Sequence, residues 1–232
     1  MATQPTHARP ERQSSHSEAI EDYAKAIYTL SQRRAGPVGT NELAERLGVT
    51  PSTASAMLKR LGEHGLVRHQ PYKGVSLTEA GERVALEVIR HHRLLEAYLS
   101  EVLEMPWDRV HEEAEVLEHY ISEDLEGLIA AKLGEPSHDP HGDPIPGPDL
   151  EPLAEDGSRS LSEVEVGAVV TFTRVSDSNP EMLRYLDERG IRPGARLEIV
   201  GREPFEGPLL VEAAGATHAL SGALVARMRI ID

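Results

Sequence analysis

Apolar positions recur at helical spacing through the first part of the chain and give way to strand-like runs in the last third. From Ser17 to Ser31, Ile20, Ala24, Ile27 and Tyr28 share one face, the period of an amphipathic helix, which the breaker run RRAGPVG at 33–39 then ends. Thr40 is expected to cap a short second helix, NELAERLG, with Leu43, Ala44 and Leu47 inward and Gly48 closing it. Thr50 followed by Pro51 reads as an N-cap with proline at the first helical position. A third helix, STASAMLKRLGEHG, should therefore start one tight turn later and bury Ala54, Leu58 and Leu61.

After Gly65 the pattern changes to LVRHQPYKGVSLTEAG, two β-prone runs about a Lys73-Gly74 turn, and Thr78 caps whatever follows. This is the wing of a winged helix-turn-helix. Two longer helices are expected, from about Glu79 to Val102 and from about Trp107 to Leu133, with a break at Met105-Pro106. The proline-, glycine- and aspartate-rich stretch from Gly134 to Ser160 reads as an interdomain linker. Beyond it come the β-prone runs VGAVVTFTRV, RLEIVG, LLVEAA, HALSG and LVARMRII, with one helical stretch, EMLRYLDERG. They suit a small β-barrel of about 70 residues.

Charge sharpens this division. The chain of 232 residues carries a net charge of −15, the wrong sign for a DNA-binding footprint. Through Ala80, however, ten Lys/Arg face eight acids, or about +2, so the acidity lies downstream. With no cysteine, disulfides, thiolate zinc sites and cysteine nucleophiles are excluded. No apolar run approaches the roughly 18 residues of a membrane span, and residues 1–16 lack a secretory core, so a cytoplasmic protein with a disordered polar arm is expected.

Residues 40–77 then offer a DNA-reading element. Ser52, Thr53, Ser55, Lys59 and Arg60 would line the outer face of the recognition helix, with Thr50 at its start and Lys73 on the wing. Hydroxyls and cations grip phosphates, but no Arg, Asn or Gln occupies the first turns, so specificity should lean on DNA shape and water. The same spacing also fits a helical hairpin of an ordinary α-protein.

The acidic part offers metal ligands. In RVHEEAEVLEHYISEDLEGL, residues His111, Glu115, Glu118 and His119 fall within an arc of about 100° on a helix. Val110, Ala114, Leu117 and Ile121 form an apolar stripe beside them. The preceding helix places His92 and Glu96 at i,i+4 on one face. Two imidazoles with hard carboxylates and no sulfur suit manganese or ferrous iron, and zinc stays open. A solvated Glu/His face is the alternative.

Taken together, EDYAKAIYTL, LAERLGVTPSTASAMLKRLGEHGLV, YKGVSLTEAGE, HHRLLEAYL, HEEAEVLEHYISEDLE and GDPIPG resemble the diphtheria-toxin-repressor family of iron- and manganese-dependent regulators. The resemblance implies a mainly α fold with β: a winged helix-turn-helix at 17–78, a helical metal-binding and dimerisation domain at 79–133, the linker at 134–160 and an SH3-like domain at 161–232. It also implies a primary metal site at Asp22, Glu115, Glu118 and His119, and an ancillary one at His92, Glu96, His111 and Asp177. Asp22 and Glu115 stand where iron-type members have methionine and cysteine, which favours Mn2+ over Fe2+, with Zn2+ or other divalent ions possible in vitro. Lys25, where manganese-type members have an acid, and the SH3-like domain, which they usually lack, depart from that pattern.

The function so implied is a metal-dependent repressor of metal-uptake genes, binding palindromic operator DNA as a homodimer, without an organic cofactor, membrane attachment or enzymatic activity. Leu94, Leu95, Tyr98 and Val102 are candidates for the dimer interface or for the protomer core. Two other readings use the same residues: a winged-helix regulator sensing a small organic ligand, and a carboxylate-bridged metalloenzyme. HEEAE lacks the HExxH spacing of zinc proteases, and no nucleophile or cofactor loop accompanies it.

Overall fold

The computed structural model describes residues 17–33, 36–70, 73–154, 157–205 and 207–232. The arm at 1–16 lies outside them, as do parts of the RRAGPVG breaker and of the wing. Two compact units divide at Ala85/Leu86.

The first unit holds α1 (Glu18–Arg33), α2 (Thr40–Arg46) and α3 (Pro51–Glu63), then the hairpin β1 (Val67–Gln70) and β2 (Gly74–Leu77). Ile20, Ile27, Leu43, Leu58, Leu61 and Val75 share its core. Helix α3 begins as its sequence predicts: Thr50 is the N-cap, its side chain accepts from the Thr53 N–H, and Pro51 opens the helix. Helix α2 does not. Gly39 is its N-cap and Thr40 is already helical, because the Gly39 carbonyl takes the Leu43 N–H at 3.0 Å. The wing is antiparallel with Gln70 opposite Gly74, and Thr78 caps the next helix through the Gly81 N–H.

That helix, α4 (Glu79–Glu101), runs through the boundary. The second long helix expected at 107–133 is instead two, α5 (Val110–Leu117) and α6 (Glu123–Leu133). Ser122 causes the break: it adopts an extended conformation and caps α6 by accepting from the Leu125 N–H, with Glu123, Asp124 and Glu126 acidic in the first turn. Side-chain capping and carboxylates at the positive end of the helix dipole favour restarting the helix there. His119 consequently lies in a turn rather than on a helix. Leu117, assigned to the buried stripe, is exposed, whereas Val110, Ala114 and Ile121 are buried. Leu94 and Leu95 belong to the protomer core with Ile129 and Ile145.

The C-terminal part is a six-stranded antiparallel sheet of order β3-β8-β4-β5-β6-β7. Its strands are β3 (Arg159–Ser160), β4 (Val169–Val175), β5 (Arg196–Arg202), β6 (Leu209–Ala213), β7 (Ala216–Leu220) and β8 (Met228–Ile231). Helix α7 (Pro180–Asp187) follows β4, capped by Asn179. The expected strand LVARMRII is shorter, because Ser221 caps a helical turn, α8 (Gly222–Val225), ahead of β8. Phe172, Leu183, Leu186, Ile199 and Met228 fill the core together with Trp107, which precedes α5.

Among its described residues the stretch read as a linker has no helix beyond Gly134, yet part of it is fixed in place. Ile145 N–H bonds to Ser137 O, and Val175 N–H to His141 O. Arg90 donates to Pro146 O and Arg93 to Pro144 O. His141 is wholly buried. Among the described residues no helix is long and apolar enough to cross a membrane.

Candidate functional site

In the first unit, α3 turns Ala54, Leu58 and Leu61 inward and leaves Ser52, Thr53, Ser55, Lys59 and Arg60 exposed. The Thr50 hydroxyl lies 2.8 Å from that of Ser52 and 2.9 Å from that of Thr53. These three side chains therefore steady one another at the helix start. Lys59 sits 3.9 Å from Glu63 with both side chains largely in solvent, a weak pair that phosphates could replace. Lys73 is exposed at the wing turn. Asp22, half-buried in α1, also belongs to this unit.

The second unit gathers the remaining predicted ligands. His92 Nε2 is 3.0 Å from Glu96 Oε1 and 3.1 Å from His111 Nδ1. His111 Nδ1 is in turn 3.2 Å from Glu96 Oε1 and 3.1 Å from Asp177 Oδ2. The i,i+4 spacing on α4 supplies His92 and Glu96, α5 supplies His111, and the loop after β4 supplies Asp177. On its other side, His92 Nδ1 lies 2.5 Å from Glu118 Oε2, whose partner oxygen is 3.6 Å from His119 Nε2. Glu115 is 3.7 Å from His111 and 3.9 Å from His92. The two ligand groups assigned from sequence are thus contiguous here, with His92 touching both.

Two residues missed from sequence complete the cluster. His141 Nε2 is 2.7 Å from the Trp107 carbonyl, which only accepts, so Nε2 carries a proton. Its Nδ1 faces Glu96 Oε2, 3.6 Å away. Neither atom has a hydrogen-bond partner, although both side chains are fully buried. Asp139 stands with them, its Oδ1 accepting from the His141 and Asp143 N–H groups at 2.8 and 2.9 Å. Glu96, Asp139 and His141 each present a ligand atom within 4.8 Å of the others. The available signal was SHDPHGDP, four ligand-type side chains among glycine and prolines.

The electrostatics are those of charges held together out of water. Burial opposes ionisation of Glu96, but His92, His111 and His141 outweigh it and hold its carboxyl well below the usual range. Burial likewise opposes the His111 cation, yet Asp177 and Glu96 push it up to about 10. Asp177, also desolvated, is pulled to about 2 by His111. His141 is raised against its burial to about 9, chiefly by Glu96. Burial and the neighbouring Glu96 and Asp143 charges drive Asp139 well above its usual value.

These donors fit a divalent ion. An ion with nitrogen and oxygen ligands at about 2.1 Å keeps adjacent donor atoms roughly 3 Å apart, the separation seen among His92, Glu96, His111 and Asp177. Buried polar atoms without a partner are costly, and a bound cation gives Glu96 Oε2 and His141 Nδ1 one.

Comparison with known proteins agrees. Residues 16–75 match the iron-dependent repressor N-terminal DNA-binding domain, 78–147 the iron-dependent repressor metal-binding and dimerisation domain, and 159–230 the FeoA domain. The iron-dependent repressor IdeR of Mycobacterium tuberculosis (strain ATCC 25618 / H37Rv) is 33% identical over 193 residues, covering 78% of this chain and 84% of its own. The chain belongs to the iron-dependent repressor family.

Like that family's members, it is a metal-dependent transcriptional repressor rather than an enzyme, built as a DNA-binding domain, a helical dimerisation domain and an SH3-like sheet. A solved manganese-dependent transcriptional repressor in complex with manganese is similar with a TM-score of 0.84 and 42% identity, covering 92% of this chain and 99% of its own. The repressor ScaR with bound Zn2+ gives 0.76 and 29%, with coverages of 92% and 99%. The family includes proteins named for iron and for manganese.

Proposed function

We propose that this chain is a manganese-responsive repressor of metal-uptake genes, acting in the cytoplasm as a homodimer on palindromic operator DNA. The observation that carries the reading is the convergence of His92 and His111 on Glu96 Oε1 within 3.2 Å, with Asp177 3.1 Å from His111 Nδ1. All donors are nitrogen or oxygen, the set that hard and borderline ions such as Mn2+ and Fe2+ prefer. The 42% identical manganese-dependent relative favours manganese between them.

Glu96, His92, His111 and Asp177, joined by Asp139 and His141 through the second Glu96 oxygen, would hold the ancillary metal. Glu115, Glu118 and His119 are the second-unit residues assigned to the primary one. Asp22 is its first-unit candidate by resemblance. Bound metal supplies positive charge that cancels carboxylate repulsion. Without it, Glu96, Asp139 and Asp177 crowd one another, offset only by the protons that His111 and His141 retain.

The homodimer face is assigned to Val116, Leu117, Tyr120, Leu125 and Leu128, large apolar side chains exposed along α5, the turn and α6. A patch of this kind on a folded chain marks an association surface. Thr50, Ser52, Thr53, Ser55, Lys59, Arg60 and Lys73 are assigned to DNA.

Fluorescence anisotropy with a fragment from a metal-uptake promoter, titrated in Mn2+, Fe2+ and Zn2+, tests the whole reading. Tight binding at the lowest free Mn2+ is expected. Equal binding with and without metal would reject it, and activation by Fe2+ alone would replace manganese by iron.

A further inference from the structure

The segment between α6 and the sheet does more for the metal centre than present Asp139 and His141. It closes on itself as a small hairpin: the Ile145 N–H bonds to the Ser137 carbonyl at 2.9 Å, the Asp139 N–H to the Asp143 carbonyl at 3.0 Å, and His138 bridges Pro144. At its tip the Asp139 carboxylate accepts from the His141 and Asp143 N–H groups. An aspartate that bonds the backbone two residues on fixes a turn, so the hairpin can hold a position rather than merely span one.

One side of the hairpin is tied to α4, where Arg93 donates to the Pro144 carbonyl and Arg90 to the Pro146 carbonyl. The same helix carries His92 and Glu96. The other side lies on β4. Strand β5 pairs with β4 only at Val169, Val170 and Thr171. Further along β4, the Val175 N–H goes to the His141 carbonyl at 3.0 Å. The approach is closest at Gly142, where φ is +88° and a Cβ would lie 1.9 Å from the Thr173 carbonyl oxygen, so only glycine fits without displacement. Beside it, Arg174 Nη1 lies 3.4 Å from Asp143 Oδ1. Two residues beyond Val175 stands Asp177, whose Oδ2 is 3.1 Å from His111 Nδ1. Within the group His92, Glu96, His111 and Asp177 it alone lies outside the helices. Its place against the others therefore depends on what holds the end of β4.

We propose, on the metal reading above, that the 137–145 hairpin is the splint that sets Asp177 against the ancillary metal, with Gly142 and the Asp143–Arg174 pair as positioning residues for that ligand. Metal–ligand distances tolerate departures of only about 0.2 Å. A shift of β4 relative to α4 therefore weakens the site even when every ligand is still present.

A mutant cycle on the full chain tests this, with Mn2+ affinity read by isothermal titration and circular dichroism as the check on folding. Gly142→Ala forces the hairpin away from Thr173 and should lower affinity at the ancillary site about tenfold, the lower end of the range for residues behind the ligands. Arg174→Gln keeps the close approach and changes a partly exposed side chain. It should lower affinity by roughly threefold, the worth of such an ionic tie. In an Asp177→Asn background neither change should cost more than about twofold, because the ligand being positioned is gone. Wild-type affinity in folded Gly142→Ala and Arg174→Gln overturns the proposal. Losses as large in the Asp177→Asn background as without it also overturn it, and leave the hairpin a purely structural element. Should Gly142→Ala not fold, the Arg174→Gln cycle decides alone. A wild-type chain that binds no Mn2+ rejects the manganese reading itself, and this inference falls with it.

Discussion

Helix α3 and the cluster around Glu96 are both polar regions, yet they are organised in opposite ways. On α3 the polar residues are exposed and neighbours in sequence: Thr50, Ser52 and Thr53 bond to one another, and only the apolar face is buried. Around Glu96 the polar residues are buried or half-buried and come from α4, α5, the 137–146 segment and the loop after β4. Exposed polar groups lose little when a partner is missing, whereas buried ones without partners are costly. The α3 surface can therefore be altered residue by residue at small cost. The cluster should respond as a unit.

Glu96→Gln should give the largest effect. It removes the charge shared by His92, His111 and His141, and Mn2+ affinity measured by calorimetry should fall by more than about 100-fold, beyond the usual range for outer-shell changes. A loss under about tenfold would dissolve the contrast with α3. A pair of glycines compares the regions in stability. Gly142 has φ +88°, and a Cβ there would lie 1.9 Å from the Thr173 carbonyl oxygen, whereas Gly48, at φ +65°, has open space around it. Gly48→Ala should cost only the left-handed conformation, about 1–2 kcal/mol. Gly142→Ala must also displace backbone and should cost roughly 3 kcal/mol or more in urea denaturation. Equal losses would mean that the 137–146 segment is as yielding as the α2–α3 turn.

The same contrast explains what the sequence disclosed. Helix α3, its cap and the wing depend on near neighbours, and Thr50-Pro51 and Lys73-Gly74 state them openly. His92, Glu96, His111 and Glu115 were legible because helical periodicity puts them on shared faces. Asp139 and His141 were not, since no period operates in an irregular segment and proline-rich composition argued for a tether. Their role depends on Trp107 and Glu96, more than 30 and 40 residues earlier in the chain. The α5–α6 break is signalled in the sequence, since Ser122 followed by three acids is a helix start, but continuous helical propensity on both sides masks it. Leu94 and Leu95 could not be divided between core and interface because periodicity marks an apolar face without saying what covers it.

The pH dependence separates the regions next. His111, at about 10, and His141, at about 9, are protonated at neutral pH in the metal-free protein, so ion binding must release protons. Apparent Mn2+ affinity should fall about tenfold per pH unit, for each proton released, as pH drops from about 9 toward 6. The metal-free fold behaves oppositely. Raised histidine values contribute stability that is complete below about 6.5, the unfolded value, and is lost as pH rises through 9 to 10. The lowered Asp177 contributes stability present above about 3.9 and lost as pH falls toward 2. Calorimetry in buffers of different ionisation enthalpy gives the proton count, and a count of zero would remove both imidazoles from the ligand set.

The smallest effect is expected on α3. Lys59 is exposed, and its partner Glu63 at 3.9 Å holds it weakly, so Lys59→Ala should leave stability within about 0.5 kcal/mol. If Lys59 meets a phosphate, its loss weakens DNA binding by a similar factor on every sequence. The slope of log affinity against log salt should become shallower by about 1 per chain, because one fewer counterion is released. Metal affinity in the absence of DNA should not change, since Lys59 belongs to the first unit and the Glu96 cluster to the second. A loss confined to the operator, with an unaltered salt slope, would instead make Lys59 a reader of base edges, and α3 would then hold sequence information that its hydroxyl-rich first turns do not supply.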